Sequence, residues 1–226
     1  MTAAVHRIVA ALAAVVTLGL TTPASAELIQ PGAPLATPNR VTLTFGLEHG
    51  LSSELAYTRA LDLDDVRLTL VGRLELPASP DFTDGGVALG AAAHLIGDDG
   101  WGAGVRLLAT TRWVQGALLD VTQLGVIVGV DGGYYRPGGS VALELAWDGA
   151  LVTRVAPTDR YRRLVYAADP VTVGHGGGVL RLGLAATLTL ADVIELGLRG
   201  GLVATEELGA VPGMPLFVTL SIGARW

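Results

Sequence analysis

The residues that could do chemistry fall into three groups. His49, Ser52, Ser53 and Glu54 stand close together and supply a base, hydroxyl nucleophiles and a carboxylate, the parts of an acyl-transfer site. Their order and spacing match no family motif, and His49 falls on the apolar phase of its segment. A second group, Asp159, Arg160, Tyr161, Arg162, Arg163 and Tyr166, offers guanidinium forks and phenol rings suited to phosphates or another anionic ligand, although a solvated loop has the same composition. The third group is a set of charges held at fixed parity along the chain: Arg67, Arg73, Glu75, Arg106, Arg112, Glu144, Asp148, Arg181, Glu195 and Arg199, with Glu48 and Arg225 in the same phase. Metal chemistry is not indicated. The four His, among them His94 and His175, have no ligand spacing, and without Cys there is neither a thiolate ligand nor a disulfide. No cofactor motif is present in the sequence, and none is expected.

The segments that carry these residues are unusually apolar. Of 226 residues, 50% are hydrophobic, 16% charged and 5% aromatic, with 31 Gly and a mean hydropathy of +0.51. Average proteins are about 25% charged, so this composition excludes disorder and is atypical of a soluble domain. A net charge of −6 and a pI near 5.1 argue against nucleic acid as a partner.

The longest apolar run, residues 8–20, is thirteen residues long, short of the roughly 20 that a membrane-crossing helix needs. It follows His6 and Arg7 and precedes Ala24 and Ala26, an A-x-A-like cleavage pattern. Residues 1–26 are therefore expected to be a signal peptide, 27–39 a Pro-containing lead-in, and 40–226 the folded body.

After residue 40 the apolar residues recur with period two. Val41, Leu43, Phe45 and Leu47 share one face against Thr42, Thr44 and Glu48, and the same alternation marks residues 66–76, 87–95, 101–113, 141–148, 180–190, 194–202 and 218–226. In these eight segments all twelve charges lie on the polar face. A one-residue slip would move a whole strand's charges to the apolar side, where an Arg facing lipid costs about 2 to 4 kcal/mol. Trp101 and Trp113 share the apolar face twelve residues apart, which spans roughly 30 Å at a typical strand tilt and puts one Trp at each edge of an apolar band.

The final segment, with Val218, Leu220, Ile222 and Ala224 alternating up to Trp226, resembles the C-terminal signature of outer-membrane β-barrel proteins. That resemblance implies an antiparallel up-and-down transmembrane barrel in a Gram-negative outer membrane. It also makes Trp226 an insertion signal read by the barrel assembly machinery, and outer-membrane lipid and lipopolysaccharide the surroundings. A monomer is expected. Short Asp/Gly-rich turns at 62–65, 97–100, 131–139 and 191–192 alternate with segments at 50–53, 77–86, 114–116, 154–176 and 205–214, giving ten strands. Two strands are imperfect. Residues 54–61 place Arg59 on the apolar face, and the phase flips near Gln123, which suggests a bulge or a later strand start. Without the first of these the count is eight.

The functional expectation is a non-catalytic barrel, structural or surface-interacting, its lumen largely plugged by the Arg/acid network. Three alternatives remain: a narrow, weakly anion-preferring pore; an enzyme at the outer rim, as in barrel-fold lipid A deacylases; and a soluble periplasmic β-sandwich. A ten-stranded outer-membrane protease would need longer walls. The exclusive use of Arg over Lys fits bidentate pairing in a lumen, but coding bias explains it as well.

Overall fold

The computed structural model describes residues 38–47, 51–63, 66–77, 84–97, 99–116, 118–164, 169–174, 177–205 and 216–226. In chain order these form β1 (Asn39–Leu47), β2 (Leu51–Leu63), β3 (Val66–Pro77), β4 (Asp84–Ile96), β5 (Trp101–Gln115), β6 (Leu119–Arg136), β7 (Gly139–Pro157), helix α1 (Asp159–Leu164), β8 (Val171–Gly174), β9 (Gly178–Leu190), β10 (Ile194–Thr205) and β11 (Leu216–Arg225). Each strand pairs antiparallel with its neighbour, and β11 returns to β1 to close the sheet. The seam is held where Asn39 and Trp226 exchange backbone N–H to C=O bonds of 3.1 Å in both directions. The result is an up-and-down barrel of ten strands, with β8 as a short addition to the edge of β7 beyond β9. Closure excludes the two-sheet sandwich, and the full pairing of β2 with β1 and β3 excludes the eight-stranded count.

The two ends of the barrel differ. Connections at one end run over residues 64–65, 97–100, 137–138 and 191–193 and are all short; at the other end they include 78–83, 158–177 and 206–215. We refer to the short-turn and long-loop ends.

Alternation sends large apolar side chains outward and charged ones inward. Leu184 and Leu220 are each 60% exposed, whereas Glu144 and Arg181 are 2% and 3% exposed. Small outward residues are covered by larger neighbours: Ala91 and Ala93 are buried on the outer face beneath Val66, Leu68, Leu61 and Val105. Inside, Val71, Ala88, Ala92, Leu108 and Ile127 form a compact apolar cluster against one wall.

One local expectation needs correction, and another is met. Residues 131–139 are not a turn: β6 continues to Arg136, and only Pro137 and Gly138 connect it to β7. The Asp-Gly-Gly run has turn composition, but the β6–β7 ladder continues through it, and Gly133 fits where a Cβ would meet the backbone of Val141 and Ala142. The phase change near Gln123 corresponds to the expected bulge and not to a later strand start, since β6 begins at Leu119. β6 pairs with β5 without interruption, and the register shift lies in its pairing with β7, where Leu124 faces Val152 and Gly125 faces Ala150, leaving Leu151 as the extra residue.

Candidate functional site: the charged lumen

Strand pairing determines which inward charges meet. At the short-turn end Glu195 on β10 stands between Arg40 on β1 (2.8 Å) and Arg225 on β11 (3.6 Å). Arg225 also donates through Nε to the Asp192 carbonyl at 3.2 Å, tying the last strand to the β9–β10 turn. Toward the long-loop end Asp148 on β7 accepts from Arg112 on β5 and from Arg181 on β9, the latter at 3.4 Å. Arg112 also lies 3.9 Å from Glu75 on β3, and Arg73 on β3 meets Glu54 on β2 at 3.3 Å. Each of the two carboxylates at Glu195 and Asp148 thus bridges two arginines.

Between these clusters Arg199 on β10 donates twice to Glu144 Oε1 on β7, at 2.6 and 3.2 Å, with its guanidinium 5.4 Å from the centre of the Phe217 ring. Gly183 and Gly201 supply the space for that ring, since a Cβ at either would collide with it. Arg106 on β5 lies within electrostatic range of Glu144, Arg199, Arg73 and Asp131 but makes no hydrogen bond. Its guanidinium lies across Gly129, its partner on β6, where any side chain would occupy the same space. Glu144 Oε2, also buried, has no hydrogen-bond partner among the described residues.

A fourth constellation was missed in the sequence. Asp131 accepts a 2.7 Å bond from the Tyr135 hydroxyl and lies 3.3 Å from His94 Nε2, and all three side chains are buried. His94 fits because it faces Gly104 across the β4–β5 ladder. The signal was available: Asp131 and Tyr135 share the inward parity of β6, but assigning them to a turn removed them from the lumen. Arg40 and Glu54 were likewise absent from the predicted inward set, the first by a strand start placed one residue late and the second by its grouping with the serines.

The other candidates are placed as follows. Arg67 pairs with the exposed Asp62 at 2.7 Å at the short-turn end. Arg160, Arg162 and Arg163 lie exposed on α1, and the Arg163 Nε donates to the Asp159 carbonyl at 3.2 Å; Tyr161 belongs to the same helix, and Tyr166 lies outside the described residues. Of the residues suggested for acyl transfer, Glu54 faces inward onto Arg73 and Ser52 stands on the same parity of β2, whereas Ser53 has the outward parity of Phe45, its partner on β1. His49, His175, Glu48 and residues 1–26 lie outside the described residues. Trp226 is exposed on the outer face, as is Trp101, and Trp113 packs over Gly85.

No protein-family model matches the chain, and no curated protein does. Among solved structures the beta domain of the Bordetella autotransporter BrkA is similar at 15% identity and a TM-score of 0.40, covering 84% of this chain and 98% of that one. A likeness at this level assigns neither a family nor an activity.

Proposed function

We propose that this chain is a Gram-negative outer-membrane β-barrel protein, exported by residues 1–26, non-catalytic, and structural or surface-interacting, with a lumen closed to all but small ions. The observation that carries this reading is the inversion of an ordinary soluble fold: a closed barrel exposes leucine and valine around its outer wall while Arg73, Arg106, Glu144, Arg181, Glu195 and Arg199 are buried inside. Water outside such a wall would face an apolar patch far larger than the few hundred Å² that soluble monomers expose, whereas lipid would not oppose it. Closure rests on the long side chains that meet in the interior, as expected for a barrel only slightly wider than the eight-stranded size that side chains fill. Outer-membrane lipid and lipopolysaccharide are its surroundings, and the assembly machinery is a transient partner reading Trp226.

The purified chain should migrate on gels in a heat-modifiable manner and remain with membranes through carbonate extraction. Extraction in carbonate without detergent would refute the membrane assignment. In planar bilayers no large stable conductance is expected, and steady nanosiemens-scale openings would replace the closed lumen with a pore. The strand walls carry eight Arg of inward parity (40, 67, 73, 106, 112, 181, 199, 225) and eight acids (Glu54, Asp62, Glu75, Asp84, Asp131, Glu144, Asp148, Glu195), so their charge balance lends no support to an anion-preferring pore.

A further inference from the structure

Among the described strand residues Arg59 is the one outward charge that lies inside a strand, away from its ends and irregularities. Among the described strand residues the outward parity also carries Asp120, Arg136 and Arg154, but Arg136 ends β6, and Asp120 and Arg154 lie beyond the β7 irregularity at the long-loop end. Arg59 instead sits inside β2, exposed, between Tyr57 and Leu61. No side chain or carbonyl among the described residues accepts from it. Because the β1 seam pairs Asn39 with Arg59 on one side and Trp226 on the other, these three residues lie on one rung at the short-turn end. Tyr57, one pleat further into the wall, turns back toward that rung and donates to Asn39 Oδ1 at 2.9 Å. Its partner on β3 is Gly72, which adds no side chain to the outer face there; an added Cβ would meet only Leu89, at 3.4 Å.

We infer that Arg59 binds the phosphate of a membrane phospholipid in the leaflet at the short-turn end, with Trp226 and Tyr57 flanking the headgroup and an acyl chain lying over Gly72. This rests on the membrane reading above. An Arg in lipid needs an anionic partner or a path to water, and five N–H donors in a planar fork match a phosphate. The aromatic neighbours fix the depth, because Trp and Tyr settle at the headgroup level.

The test is native mass spectrometry of the full chain, folded in detergent and titrated with phosphatidylglycerol, alongside a phosphate-free galactosyl diacylglycerol. Arg59→Ala should lower the phosphatidylglycerol adduct roughly tenfold, the factor associated with one charge-assisted hydrogen bond. Arg59→Lys should retain part of it, Arg154→Ala should leave it unchanged, and excess inorganic phosphate should not displace the lipid. An unchanged adduct in Arg59→Ala, an equal loss of the galactolipid, or an equal loss in Arg154→Ala would overturn the inference while the heat-modifiable, membrane-held barrel still stood. A chain that carbonate extracts would overturn both.

Discussion

The ends and the middle of the lumen solve the same electrostatic problem differently. Near either end one carboxylate, Glu195 or Asp148, is shared by two arginines, so every buried charge has an opposite charge within 4 Å. Atoms without a hydrogen bond occur in both regions, at Glu195 and Arg225 as at Glu144, but those groups are all ion-paired, whereas Arg106 in the middle is buried with neither an acceptor nor an ion-pair partner among the described residues. Paired charges inside a protein roughly break even against apolar groups, but an unpaired one is a net cost. The middle is therefore the frustrated region of the barrel, and its cost depends on which member of the group is removed.

The largest effect should follow Glu144→Ala. It removes the carboxylate that Arg199 holds and leaves Arg199 beside the partnerless Arg106, with Arg73, which keeps Glu54, also within electrostatic range of Arg106. Breaking a buried pair in this way costs about 3–5 kcal/mol. Urea unfolding of the folded chain in detergent, followed by the gel shift, measures it. A loss no greater than that of an exposed Leu→Ala on the outer wall would mean that the middle is as well hydrated as the ends.

Arg106→Met should act in the opposite direction. It replaces a partnerless buried guanidinium with a flexible apolar chain beside Leu108, Ile127 and Ala92, and such replacements are neutral or stabilising by about 1–4 kcal/mol. The same urea titration gives the sign. Destabilisation as large as that of Glu144→Ala would show that Arg106 has an acceptor and would remove the difference between middle and ends.

Legibility in the sequence followed the same division. The period-two pattern placed Glu195, Asp148, Arg112, Arg181 and Arg225 on the inner phase, because parity is a local property that one slip would destroy for a whole strand. It could not show that two arginines share each acid, since that depends on strands such as β1 and β10, which are remote in sequence and are brought to either side of β11 only by closure. In β6 local composition misled: Asp131-Gly132-Gly133 has the residue types of a turn, so the His94–Asp131–Tyr135 group stayed hidden until the ladder with β7 was seen. Arg59 was visible from the start as an exception to the alternation. Its place beside Trp226 was not, because the seam joins the two ends of the folded chain.

The smallest effect concerns the turn that supports one of the well-paired ends. Ala191 and Asp192 have φ of 50° and 57°, the left-handed region, where Cβ crowds the following carbonyl, and Asn or Gly is better tolerated than Ala. The strain is retained because the turn positions the Asp192 carbonyl to accept from Arg225, which also faces Glu195. Ala191→Asn should therefore stabilise the barrel by no more than about 1 kcal/mol, the scale of a favourable backbone substitution, while leaving the Arg225 contacts in place. The expected observation is a small rise in the urea midpoint with an unchanged slope. If Ala191→Asn lowered the midpoint, the left-handed pair would not be the conformation of this turn in the folded barrel, and the Arg225 anchor at the short-turn end would need another geometry than the one that distinguishes it from Arg106.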